Sequence, residues 1–245
     1  AAAVRLAEHT SRRDEGLWEK IEARYKEMIL EKGGEKLSKL DDDCDNFSRK
    51  FRETDSPTLS KEELLSVVEW KFLKGKPRYA LMNHLKSNGS KLVEESSSDA
   101  FKKSTERDIS GAITSLCELK GVGPATASAI LSLHSPDLFA FMDDEIIECL
   151  FDGKRAYTLK IYLEVNSKCF AISQQLGKNW SPRRVGRALW TAARIFALTG
   201  EDPISEIKQS TEAENKKTKV KKNDVSDDGV STVQRRVSKR RKVQG

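Results

Sequence analysis

Residues 119–134 read LKGVGPATASAILSLH, and this stretch limits the possible folds more than any other. Gly121 and Gly123 bracket a single valine, a spacing that lets the backbone turn sharply and lets another chain come close. Pro124 fits the first turn of a helix, where its missing N–H costs nothing. Ala125, Ala127 and Ala129 keep the helix that follows thin enough to lie close against a neighbour. The segment before the turn, Asp108–Leu119, places Ile109, Ile113, Leu116 and Leu119 near one helical face. The sequence therefore predicts helices over 108–119 and 124–134, joined by a tight hairpin with Val122 tucked between them.

The rest of the chain extends the same pattern. Trp18, Ile21, Tyr25, Met28 and Ile29 fall on one stripe at spacings of three and four, and Gly33-Gly34 is read as the end of that helix. Asp41-Asp42-Asp43 and the Ser56-Pro57 region read as loop, with a short helix around Phe47 and Phe51. Ser60 and Glu63 form a capping box ahead of a helix that ends near Gly75 and Pro77. A short helix follows over Arg78–Leu85. A polar helix around 90–103 carries a weak point at Ser96–Ser98. Further helices are expected over 144–151, over 157–175 with a break at Gly177, and from Ser181-Pro182 to Gly200. No convincing period-2 strand appears. The expected fold class is all-α: one helical domain over residues 14–200, residues 1–13 loose, and a disordered basic tail over 201–245.

Charge sets off the tail. The chain carries a net +6. Residues 201–245 hold 12 Lys and Arg against 8 Asp and Glu, and the other 200 residues hold 32 against 30. The tail has no Phe, Trp or Tyr with which to build a core. Its blocks Lys216–Lys222 and Arg235–Lys242 read as a nuclear-import signal with added affinity for nucleic acid. The expected location is the nucleus and the expected tail partner an import receptor. No apolar run is long enough to span a membrane. Cys44, Cys117, Cys149 and Cys169 stand far apart, with no spacing for a zinc site, so neither a metal nor a cofactor is expected.

The hairpin suggests a ligand. A tight turn that opens a helix presents backbone N–H groups that have no intrahelical partner, and such a group of donors suits a phosphate. Backbone amides contact phosphate without reading base sequence. Gly121, Val122, Gly123, Ala125 and Thr126 are the candidate DNA-binding residues, with Thr126 adding a hydroxyl. The alternative is a turn that serves packing alone.

Residues 116–145 resemble the helix-hairpin-helix motif of the DNA glycosylase superfamily, of the endonuclease III and adenine-glycosylase type. The elements that match are Leu119-Lys120-Gly121-Val122-Gly123, the Ala127–Leu131 helix and the loop ending in Phe141-Met142-Asp143. The resemblance implies double-stranded DNA as partner, bound through its phosphate backbone, and a link to base-excision repair. It also implies a role for Asp143, at the position of the family's catalytic aspartate, in stabilising the positive charge left on a sugar when its base departs. That role needs a pocket able to take an extruded base. Bifunctional members carry a lysine two residues after the second glycine. Ala125 stands there and has no amine, so the resemblance implies no lyase activity through that position. No set of four close cysteines follows, so an iron–sulfur cluster is not expected. Asp143 also reads as the N-cap of the next helix, with Asp144 and Glu145 in its first turn.

Three readings of function follow. The first is a DNA-binding protein of this superfold linked to repair. The second is an active monofunctional glycosylase using Asp143. The third is a nuclear scaffold recruited through its tail. Three smaller features complete the reading. Trp70 and Phe72 are expected in the core, while Lys71, Lys74, Lys76 and Arg78 beside them fit either solvent or phosphate. Arg183, Arg187 and Arg194 share one helix face, read as solvated or as a phosphate contact. His134 ends the hairpin's second helix, where a cation suits the dipole.

Overall fold

The computed structural model describes residues 6–151, 156–205 and 207. They form an all-helical unit, with no strand among the described residues. After a turn of 3-10 helix at Arg12–Asp14 come α1 (Glu15–Ala23), α2 (Tyr25–Glu53), α3 (Lys61–Lys74), α4 (Ala80–Lys86) and α5 (Ser90–Thr105). Then follow α6 (Ile109–Cys117), α7 (Pro124–His134), α8 (Asp144–Leu150), α9 (Leu159–Leu176) and α10 (Pro182–Thr199). The import-signal blocks of the tail lie outside the described residues.

Local signals set most of the boundaries. Ser60 and Glu63 close the expected capping box: the Glu63 amide donates to Ser60 Oγ at 3.2 Å and the Ser60 amide to Glu63 Oε2 at 2.8 Å. Thr158 and Ser181 cap α9 and α10 by accepting from the Ile161 and Arg184 amides, and Gly200 ends α10 in the left-handed region. Such caps contribute about 1 kcal/mol each.

Four expectations are corrected. Gly33 and Gly34 do not end a helix and open a loop; they kink α2, with φ of −145° and +62°, and the helix resumes at once. The run Asp41–Asp43 is therefore helical. The kink doubles the chain back, so Lys26 Nζ donates to Asp41 and Asp42 at 2.7 Å and to Asp45 at 3.1 Å. A run of acids read as solvated loop is held by one lysine from the preceding half-helix. The serines at 96–98 do not weaken α5. Ser97 is buried, accepts from the Leu59 amide at 2.9 Å and donates to the Glu94 carbonyl. The domain also reaches past both expected ends, because Leu6 is fully buried and Ile204 is 4% exposed.

α7 is the central helix. It packs against α2, α3, α5, α6 and α9, and every residue from Ala125 to Leu133 is buried. A helix surrounded on all sides needs small side chains, which explains its alanines and serines. Ser128 and Ser132 direct their hydroxyls to carbonyls one turn back, at 3.0 and 2.8 Å, so burial leaves neither unsatisfied. Fixed on all sides, α7 holds the hairpin at its N-terminus and the Phe139–Asp143 loop rigid on the domain.

Candidate functional site

The hairpin forms where expected. Gly121 adopts φ +82°, and a Cβ there would press on Leu85, His84 and the Leu81 carbonyl at 3.1–3.3 Å. Both the left-handed backbone and the contact with α4 call for glycine at this position. Gly123 differs. Its φ of −115° is open to any residue, and a Cβ would meet nothing within 4 Å. Its face is free space.

Of the five candidate residues, the Val122 amide donates to the Leu119 carbonyl and the Thr126 amide to the Gly123 carbonyl. The amides of Gly121, Gly123 and Ala125 have no partner among the described residues, and neither has the Thr126 hydroxyl. The hairpin is braced by Asn88, a residue that the sequence marks only as a break between helices. Asn88 accepts from the Lys120 amide and donates to the Lys120 carbonyl, both at 2.9 Å. It replaces a backbone partner and pins the turn to the end of α4.

Beside the hairpin lies a cavity of about 120 Å³. Its walls include Gly123, Ala125 and Thr126 of the hairpin, Lys71 and Lys74 of α3, Arg78, and Asp143 with Asp144. The loop that carries Asp143 is tied down at three places. Asn166 of α9 accepts from the Ala140 amide at 2.7 Å and donates to the Leu138 carbonyl at 2.9 Å. Ser128 of α7 accepts from the Met142 amide at 3.0 Å.

Asp143 lines the cavity, yet both of its carboxylate oxygens are occupied. Oδ1 accepts from the Ile146 amide at 2.9 Å, which is the expected N-cap of α8. Oδ2 accepts from Lys74 Nζ at 2.8 Å. The two side chains are 5% and 4% exposed, so this ion pair is buried. Burial pushes the Asp143 carboxyl up, against the pull of Lys74 and the Ile146 amide. Lys74 Nζ also sits over the rings of Trp190, Phe141 and Trp70 at 4.3, 5.1 and 5.7 Å, an arrangement that stabilises a desolvated cation. Ala125 carries no amine, but a lysine from another helix reaches Asp143. Nothing in the sequence marks that contact, because 69 positions separate the two residues.

The remaining acids are not loose charges facing the hairpin. Asp144 accepts from the Tyr157 hydroxyl and lies 3.9 Å from Lys76. Burial first, then Asp143, raises the Glu145 carboxyl. Trp70 and Phe72 are in the core as expected, Trp70 donating to Asp41 at 2.9 Å. Arg183, Arg187 and Arg194 are half-buried and already paired with acids. They pair with Asp45 at 3.0 Å, Glu22 at 3.4 Å and Glu31 at 3.0 Å, and tie α10 to α1 and α2. His134 is not a cation at the helix end. It stacks on Phe101 at 4.0 Å, and burial lowers its pKa to about 4.

Among the described residues, the one cluster with metal-ligand spacing is Asp41, Asp42 and Asp45, and Lys26 donates to all three. No described helix is long and apolar enough to cross a membrane. Compared with models of known families, with curated proteins and with solved structures, the chain matches none.

Proposed function

We propose that the chain is a double-stranded DNA-binding module of the helix-hairpin-helix glycosylase type, linked to base repair and without lyase activity. The observation that carries this reading is the set of unpartnered amides at Gly121, Gly123 and Ala125, at the N-terminus of a helix fixed in the centre of the domain. A phosphate of the DNA backbone satisfies those donors without base readout. Lysine and arginine around the adjoining cavity supply the attraction that makes such binding sensitive to salt. The basic blocks of the tail fit nuclear import and add further attraction.

Lyase activity is not expected through the position that carries the lysine in bifunctional glycosylases: Ala125 stands there and has no amine, and Lys74 donates to Asp143. One observation favours a second reading, a monofunctional glycosylase: Asp143 borders the cavity, where burial raises its carboxyl. Weighing against it, Oδ1 already caps α8 and Oδ2 is already paired with Lys74, whose charge offsets that of the carboxylate.

The experiment is duplex binding across a salt series, with the Gly123→Glu variant alongside. The first reading expects micromolar or tighter affinity at low salt that weakens steeply with salt, and a large loss in Gly123→Glu. Unchanged affinity in that variant ends it. For the second reading, release of a damaged base by the wild type and its loss in Asp143→Asn is the expected pattern. An Asp143→Asn protein that still releases base sinks it.

A further inference from the structure

Among the described residues, the charges around the cavity do not balance. Lys74 and Asp143 neutralise each other at 2.8 Å, and Lys76 lies 3.9 Å from Asp144. Two cations remain. Lys71, half-buried on α3, and Arg78, exposed at the start of the α4 segment, line the same cavity. Neither makes an ion pair or a hydrogen bond among the described residues; Arg78 rests on the ring of Tyr157 at 4.9 Å. Leaving a half-buried ammonium without a counter-ion is costly, and a ligand anion removes that cost.

Building on the DNA-binding reading, we propose that this cavity holds the phosphomonoester at the end of a nucleic-acid strand, with Lys71 and Arg78 as its counter-charges. Charge selects this ligand over an internal phosphate. A phosphodiester carries one negative charge, whereas a phosphomonoester carries about −1.5 to −2 near neutral pH, which matches two surplus cations. Connectivity selects it as well. An internal phosphate is linked on both sides and meets the hairpin from outside. A terminal phosphate hangs from a single ester bond and can enter a walled cavity. The space, about 120 Å³, is several times the roughly 30 Å³ share of one water. Thr126, whose hydroxyl suits a phosphate oxygen, also lines it. The crowding of cations leaves a trace in Lys71. Burial, and then Arg78, holds its ammonium below the ordinary lysine range, against the weaker attraction of Asp144 and Asp143.

The test uses the full chain and three short duplexes: one unbroken, one nicked with a phosphate at the break, and one nicked with only hydroxyls there. Placing the phosphate on the 5′ or the 3′ side covers both ends. Wild type is expected to bind one phosphate-bearing nick roughly tenfold or more tighter than the hydroxyl nick. Lys71→Gln and Arg78→Gln should each bring the ratio of phosphate-nick to hydroxyl-nick affinity close to one, while the lost charge weakens binding to all three duplexes alike. Should Lys71→Gln fail to fold, Arg78→Gln, at an exposed position, carries the test. Equal wild-type affinity for phosphate and hydroxyl nicks overturns the proposal, while unbroken-duplex binding that is lost in Gly123→Glu leaves the DNA-binding reading intact. A nucleoside monophosphate that displaces the phosphate nick at comparable concentration assigns the cavity to a free phosphate ester and also overturns it.

Discussion

Arg183, Arg187 and Arg194 on α10 and Lys71, Lys76 and Arg78 around the cavity are alike as sequence: clusters of basic residues near aromatics. In the fold they differ. Each α10 arginine meets an acid from α1 or α2, and the three pairs act as struts between helices. Around the cavity, one lysine is used up on Asp143, a second stands near Asp144, and two cations are left over. A basic face marks a binding surface only when the fold has not already supplied its counter-ions.

The sharpest way to break this contrast is to remove Lys74. Lys74→Met should cost about 3–5 kcal/mol of stability in urea melts, because it leaves the Asp143 carboxylate buried and unpaired. A loss below about 1 kcal/mol would mean that the pair is solvated and the cavity wall is not built as described.

Acid pH is the next-largest lever: it acts through His134, away from both faces, and on the cavity face through the raised carboxyls of Asp143 and Glu145. The folded pKa of His134, about 4, lies below its ordinary 6.5, so on acidification the unfolded chain takes up a proton first. The stability that follows from a neutral His134 is complete above pH 6.5 and is lost as pH falls toward 4, up to about 3 kcal/mol. Melts of wild type and His134→Gln across that window should converge at the acid end. Comparisons of the two faces belong above this window.

Gly123→Glu comes third. Duplex affinity should fall roughly tenfold or more, about 1.4 kcal/mol, while stability stays within about 0.5 kcal/mol, since a side chain at Gly123 meets open space. The smallest effect is expected at Arg194→Gln. It should cost at most about 1 kcal/mol of stability and leave duplex affinity unchanged. A drop in affinity there equal to that of Gly123→Glu would erase the distinction between the faces.

What the sequence reveals of this site follows the range of each interaction. The Gly-Val-Gly-Pro turn, the Ser60–Glu63 box and the Asp143 cap all act within a few residues, and each is readable where it stands. The brace from Asn88 spans 32 positions and the Lys74–Asp143 pair 69; each is a choice of partner that only the packing of α3, α4 and α7 makes. The kink in α2 is hidden from the sequence for the same reason. Gly33-Gly34 and three successive acids look like a helix end and a loop until Lys26 is brought across to hold them.

The ring of aromatics beneath Lys74 has an optical consequence. Trp70 and Trp190 flank the Lys74 ammonium, whereas Trp18 and Trp180 lie edge to face, with Arg184 stacked on Trp180 near the start of α10. The four indoles thus form two native fluorescent labels, one for each basic face. Phenylalanine in place of either pair leaves an emission signal that reports on the other face alone.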